Sequence, residues 1–396
     1  MTSDITQLGF LLFVSALVAM LTRRLHMPYT VGLVLAGMGL HLAHARIELQ
    51  LSRDLIFSLF LPPLIFEAAL CIHWRELRRD LPVITLLATL GVALAAVVTA
   101  AGMHYGLDWD WGSAAVFGVL IAATDPVSVI ATFKDAGVHG RARLLVESES
   151  LLNDATAAVG FVAVLGLLAG EHAGVAPISQ ALLLAIGGGV AVGALAGIAF
   201  RVLAGRTADH LVEFTLSTLT AYGSFLLAER YHCSGVLAAL TAGLVVGNRP
   251  ARDARAGAQG QSLEVFWEYV AFAANSLIFL LIGARVAQQD FADLWRPILL
   301  AIALVTLGRA LAVYPLCGMF ARSPLKVAMA HQHVLFWGGL RGALALALAL
   351  ALPVGLPNRD IIVTLTFSVV VFSVFVQGLT ITPLLRRLGL IGDAGR

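Results

Sequence analysis

Charge is what this chain has least of. Asp, Glu, Lys and Arg make up 13% of its 396 residues, against roughly 25% in a typical soluble domain. Hydrophobic residues make up 59%, and the mean hydropathy is +0.89. No stretch of useful size has a soluble composition, which excludes an ordinary water-soluble globular protein. Cysteine is almost as scarce. Cys71, Cys233 and Cys317 lie in or beside apolar runs at unrelated spacings, supporting neither a disulfide framework nor a CxxC metal site; they read as small packing residues. No basic stretch precedes the first apolar run, "ITQLGFLLFVSALVAML". Asp4 comes before it and Arg23 and Arg24 after it, the reverse of a cleaved signal peptide, so the run is expected to be a first spanning helix. The glycine-rich "GGGVAVGALAG" at 187–197 lacks the Lys-Ser/Thr of a phosphate loop, and its small residues suit close helix packing in a membrane.

Long apolar runs are what the chain does have. Runs able to cross a hydrocarbon core of about 30 Å recur from end to end. They predict an all-α polytopic membrane protein with thirteen transmembrane helices at 5–22, 29–45, 54–72, 82–103, 112–134, 143–169, 176–203, 211–230, 234–247, 263–286, 297–320, 327–351 and 360–385. With adjoining helix ends counted in, the odd-numbered loops and the C-terminus carry 18 Lys and Arg, and the N-terminus and even-numbered loops carry 6. By the positive-inside rule the N-terminus is outside and the C-terminus cytoplasmic, as an odd count requires. Basic clusters such as "WRELRRD" and "NRPARDAR" then serve topology and contact with anionic lipid, with no nucleic acid implied.

Thirteen divides into six, one and six. Within one transporter domain, 1–396, residues 1–170 would form a first repeat, 176–203 a linker helix and 211–386 a second, inverted repeat, leaving 387–396 as a short cytoplasmic tail. Inverted repeats of this kind interrupt a helix at corresponding places in both halves. The fifth helix contains "AATDPVSVIATF", where Pro126 removes a backbone donor and disfavours helical geometry at Asp125. The twelfth, fifth of its half, contains "FWGGLRGALAL", with Gly338, Gly339 and Gly342 around Arg341. A pair of crossed, discontinuous helices is the best sequence pointer to a transport site.

Ionisable residues inside such helices need a reason to be there, since a buried Asp costs about 2.5–3.5 kcal/mol on insertion scales. At 1.5 Å per residue, Glu67, Asp125 and Asp154 fall roughly 16–20 Å deep, and Glu149 roughly 9 Å from the cytoplasmic end. Arg309 and Arg341 are also deep. In the sixth helix, "ESESLLNDATAAVG", a step of about 100° per residue stacks Glu149 under Asn153 and Ser150 under Asp154 on one polar face. Leu151, Leu152 and Ala155 form the apolar face, and Glu147 is expected further out, in a cytoplasmic funnel. Structural ion pairs are the competing explanation, but four acids against two bases leave two negative charges unneutralised. A carboxylate pair beside a broken helix invites a cation, with the Thr124 and Ser150 hydroxyls and freed carbonyls as further hard oxygen ligands. A carboxylate removed from water is also easier to protonate, so protons compete with a metal cation for the same place. A site that holds one or the other and is presented to each side in turn is an exchanger.

At these residues the chain resembles the cation:proton antiporter-1 family, the sodium/hydrogen exchangers. The likeness runs through "LPPLIFEAAL", "AATDPVSVIATF", "ESESLLNDATAAV" and "WGGLRGALALAL", in that order, and covers nearly the whole chain. It implies that Asp154 is the shared cation and proton carboxylate, with Asp125, Thr124 and Ser150 completing the site and Glu67 nearby. It implies a buried pair between Glu149 and Arg309, with Arg341 as the rival partner, otherwise offsetting the negative ends of the half-helices. Asn153 followed by Asp154 resembles the electroneutral branch, hence one cation for one proton. A homodimer in a bacterial cytoplasmic membrane, with no cofactor and an elevator-like movement of the unit holding the crossed helices, is the rest of what the likeness implies. "RRLGLIGDAGR" leaves no room for a regulatory tail, so any pH response is expected within the membrane domain. Two other classes remain open: a sodium-coupled organic-anion symporter of related fold, and an intramembrane aspartyl protease, whose Gly-x-Gly-Asp and Tyr-Asp signatures are missing. His331 and His333 in "AHQHVLF" read as interfacial polar residues.

Overall fold

The computed structural model describes residues 2–25, 27–43, 52, 54–125, 133, 138, 140–170, 175–207, 209–248, 256–289, 291 and 293–391. Among these residues the chain is all helical. In chain order the helices are α1 (Thr2–Leu25), α2 (Tyr29–Leu42), α3 (Leu55–Leu70), α4 (Trp74–Leu107), α5 (Trp111–Leu120), α6 (Arg141–Leu168), α7 (Val175–Ala204), α8 (His210–Arg230), α9 (Gly235–Gly247), α10 (Ala256–Val286), α11 (Trp295–Met319), α12 (Met329–Trp337), α13 (Ala343–Leu350) and α14 (Arg359–Arg387). Eight of them, α1, α4, α6, α7, α8, α10, α11 and α14, are long and apolar enough to cross a membrane; α2, α3, α5 and α9 are shorter apolar helices.

The described helices number fourteen rather than thirteen. Residues 327–351, expected as one span, form two rods, because 339–342 leave helical geometry between α12 and α13. Gly338, Gly339 and Gly342 supply the flexibility there, and the "ALALALAL" of α13 restarts the helix at once. The fifth predicted helix, 112–134, is α5 only as far as Leu120. A turn follows, and 123–125 are not helical. Pro126, to which the sequence assigns this break, lies outside the described residues. Asp110 caps the start of α5, its carboxylate accepting the Ser113 N–H at 2.8 Å. Wide π-turns interrupt α3 at Leu55–Phe60, α4 at Leu87–Gly91 and α14 at Ser373–Gln377.

The chain folds as two compact units that interleave along the sequence. The first takes residues 1–53, 82–157 and 276–396, and the second 54–81 and 158–275. In the first unit α11 packs along α4, and α2 meets the end of α10 where Gly37 and Gly283 let the two backbones touch. In the second, α3, α7, α8 and α9 pack on one another. Its core gathers Phe66, Leu70, Phe200, Val246, Leu263 and Trp267. Trp267 is fully buried, its ring centroid 4.7 Å from that of Phe66 and its indole N–H donating to the Ser217 hydroxyl at 3.1 Å. Lipid tails are as apolar as a core side chain, so packing and hydrogen bonds hold such a unit together more than water exclusion does. Trp267→Ala, which removes both, is expected to cost about 3–5 kcal/mol, read as a lowered unfolding midpoint of the purified protein in detergent.

Candidate functional site

The first unit brings the interrupted segments together. Past the end of α5, the Asp125 N–H donates to the Leu340 carbonyl at 2.7 Å, so the irregular stretch at 123–125 meets the break between α12 and α13. Each helix that stops here leaves carbonyls without partners, and no water is present in a hydrocarbon core to take them up. Two buried arginines do so. Arg341 Nη1 donates to the carbonyls of Ala122 and Ala123 at 2.9 and 3.1 Å. Arg309, from α11, donates through Nη2 and Nε to the Leu335 carbonyl in the last turn of α12, at 2.8 and 3.2 Å.

Of the two arginines offered by the sequence as partners for Glu149, Arg309 makes the pair. Its Nη1 and Nη2 reach Oε1 and Oε2 at 2.7 and 2.8 Å, a bidentate bridge, and Glu149 is fully buried. The polar face of α6 continues from there. Asn153 Nδ2 donates to Glu149 Oε1 at 3.1 Å and to Thr124 Oγ1 at 2.6 Å, while Asn153 Oδ1 accepts the Thr124 backbone N–H at 3.1 Å. The Thr124 hydroxyl donates to Ser150 Oγ at 2.9 Å. Thr124 is thus clamped by three side-chain hydrogen bonds from one helix, and its hydroxyl and that of Ser150 form a buried oxygen pair.

Asp154 is 6% exposed, and its Oδ1 has no hydrogen-bond donor among the described residues. The electrostatic neighbours of this carboxylate are those of Asp125 and Glu149 and the Arg341 guanidinium, and it faces the Thr124 amide. Asp125 is buried, its side chain against Gly342 at the start of α13. A side chain on Gly342 would collide with the Asp125 carboxylate, and the positive end of α13 lies on that side. Gly339 likewise leaves room for Arg309, whose Nε would be 2.7 Å from an added Cβ. Glu67 lies half-buried on α3, in the second unit. Glu147 does not line an open funnel: it is buried and bridged to Arg143, one turn earlier, with Nε to Oε1 at 2.5 Å. The sequence reading also missed the Leu335, Leu340 and Ala122 carbonyls. Their position just ahead of a helix break was the available signal.

The arrangement separates a neutralised pair, Glu149 with Arg309, from a carboxylate with an oxygen to spare. A buried pair broken from one side costs about 3–5 kcal/mol, and a lysine has no fork to hold two carboxylate oxygens and a carbonyl together. Arg309→Lys is therefore expected to lower the unfolding midpoint nearly as far as Arg309→Ala, and well beyond a lysine substitution of the exposed Arg296 in the same helix.

Comparison with known proteins agrees with the geometry. The chain is 38% identical over 370 residues to the Na(+)/H(+) antiporter ApNhaP of Aphanothece halophytica, covering 92% of this chain and 70% of that protein. It is 35% identical over 398 residues to the Na(+)/H(+) antiporter NhaH of Halobacillus aidingensis, covering 97% and 98% of the two. The sodium proton antiporter MjNhaP1 of Methanocaldococcus jannaschii, solved at pH 8, superposes with a TM-score of 0.77 over 98% of this chain and 99% of that one; at 21% identity this is a likeness of fold. Residues 10–387 match the family model described as sodium/hydrogen exchanger, transmembrane. The chain with the clamped threonine and the buried, unsatisfied Asp154 therefore belongs to the sodium/hydrogen exchanger family.

Proposed function

We propose that this protein exchanges a monovalent cation, sodium before lithium or potassium, for a proton at Asp154, one for one, across the membrane it spans. The observation that carries the reading is the Asp154 carboxylate, buried beside the helix break with an oxygen that no donor among the described residues satisfies. A proton or a cation is what such an oxygen lacks. With sodium bound, Asp125 and the hydroxyls of Thr124 and Ser150 contribute hard oxygen ligands. With a proton bound, the site carries the same charge and crosses without a metal. The empty, doubly acidic site moves poorly because an uncompensated charge in a low dielectric is expensive, and that barrier couples the two fluxes.

What the other polar groups already do supports the one-for-one ratio. Glu149 is neutralised by Arg309. Asn153 uses both ends of its amide on Glu149 and Thr124 and carries no charge. One exchangeable carboxylate then serves one cation and one proton. The rest of the reading is thirteen spans as two inverted repeats, an outside N-terminus, a cytoplasmic C-terminus, alternating access by movement of the unit holding the crossed helices, and a homodimer in a bacterial cytoplasmic membrane. The names of the relatives as sodium/proton antiporters support exchange over the symporter and the protease, neither of which any observation favours.

In proteoliposomes with an internal pH dye, added sodium is expected to drive proton movement in the wild type and none in Asp154→Asn. Clamping the membrane potential at values 100 mV apart with potassium and valinomycin is expected to leave the wild-type rate unchanged. Equal activity in Asp154→Asn would remove Asp154 from the mechanism, and a rate that follows the potential would remove the one-for-one ratio.

A further inference from the structure

The proposed cation site draws on separate segments, α6 with Asp154 and the 123–125 stretch at the break, and a cation needs both held in step. Two links already described do part of this. Glu149 reaches the Leu335 carbonyl through Arg309, and Asn153 holds Thr124, whose neighbour Asp125 is bonded to Leu340. A further link lies well away from the site. Arg141, in the first turn of α6, donates through Nη1 to the Lys326 carbonyl at 2.7 Å and through Nη2 to the Leu325 carbonyl at 2.8 Å. These carbonyls come just ahead of α12, and every residue named belongs to the first unit. The links fall at matching places along the two segments. Glu149 is eight residues past Arg141 and Leu335 nine past Lys326; Asn153 and Leu340 follow four and five residues further on. From Arg141 to the break, α6 and α12 are tied in one register.

A cation in the first turn of a helix meets the positive end of the helix dipole, so Arg141 occupies an unfavourable place unless its charge is used elsewhere. The bias of basic residues toward one side of the membrane accounts for a charge here, but a lysine would satisfy it. What arginine adds is a rigid fork, and here the fork takes two consecutive carbonyls. The segment it holds, 326–328, is not helical and depends on side chains for its shape. Ser323 Oγ accepts the Leu325 N–H at 3.2 Å, and Gln332 Nε2 donates to the Val327 carbonyl at 2.9 Å. The start of α12 is thereby pinned, and Arg141 joins α6 to the pinned segment.

We propose that Arg141 is a positioning residue for the cation site, acting from about 20 Å away along α6, and that it governs the binding of sodium far more than that of the proton. The inference rests on the exchange reading above. A sodium ion needs several oxygens at once, from Asp154 and Ser150 on α6 and from Thr124 and Asp125 on the stretch bonded to the break. A proton needs one oxygen of Asp154. Slippage of α6 against the break spreads the sodium ligands apart and leaves the proton's acceptor as it was.

The test is sodium-driven proton movement in proteoliposomes made with wild type, Arg141→Gln, Arg141→Lys and Arg322→Gln, with sodium concentration and pH both varied. Arg322 is exposed in the same connection between α11 and α12 as Lys326, so its variant removes a nearby charge and leaves the fork intact. Arg141→Gln is expected to raise the KM for sodium about ten-fold, the scale typical of an outer partner of a metal site. The maximal rate per folded protein and the pH at which protons begin to compete with sodium are expected to stay close to wild type. Arg141→Lys, which keeps the charge and loses the fork, is expected to move KM the same way by a smaller factor, and it serves as the test if the glutamine variant does not fold. A purely structural Arg141 would lower the yield of folded protein and leave KM unmoved. An unmoved KM in the Arg141 variants, or an equal rise in Arg322→Gln, would overturn this inference alone. A wild type that moves no protons on sodium addition would overturn the exchange reading and this inference with it.

Discussion

Everything at the centre of this protein depends on finding donors for backbone carbonyls where helices stop inside the membrane. An unsatisfied peptide group in hydrocarbon costs several kcal/mol, so a helix break is possible only if side chains replace the missing bonds. Arg341 does this for the end of α5 and Arg309 for the end of α12. Both are cations, and cations in such a place require acids. Glu149 answers Arg309 in a bidentate bridge. The acids around the breaks are thus partly a consequence of the breaks, and the proposed ion site lies beside them.

From that constraint the roles of neighbouring residues separate. Glu149 and Asn153 are neighbours on one face of α6, yet both are fully committed: one to Arg309, the other to holding Thr124 and Glu149. One turn and one residue beyond Glu149, Asp154 has an oxygen left over. A helix can present committed and uncommitted polar groups this close together because consecutive residues point about 100° apart. The committed group fixes the position of the free one, as the proposed cation site requires if it is to be rigid without being filled by protein donors.

Much of this was legible in the residue order, for identifiable reasons. A stretch of apolar residues has few alternatives to a helix in a membrane, so most element positions could be read directly. The stacking of Glu149 under Asn153 follows from helix periodicity alone, and the hydrogen bond between them is there. Glycines around Arg341 marked the break between α12 and α13, and the expected twelfth helix is discontinuous there. Other features have no local signature. The π-turns at Leu55–Phe60, Leu87–Gly91 and Ser373–Gln377 depend on what packs against them. The interleaving of 54–81 with 158–275 is a matter of long-range packing. Glu147 was misplaced because its partner, Arg143, looked like a topology signal rather than a bridge. Arg309 could be paired with an acid on charge alone, but its second task at the Leu335 carbonyl required coordinates.

The central claim is that one carboxylate, Asp154, holds either a sodium ion or a proton, never both. Equilibrium sodium binding to the purified protein, followed across pH with simultaneous measurement of protons released, tests it without any transport assay. The account predicts that sodium affinity falls as the pH is lowered and that, where the site starts protonated, close to one proton leaves for each sodium bound. Sodium binding that is independent of pH and releases no protons would contradict it.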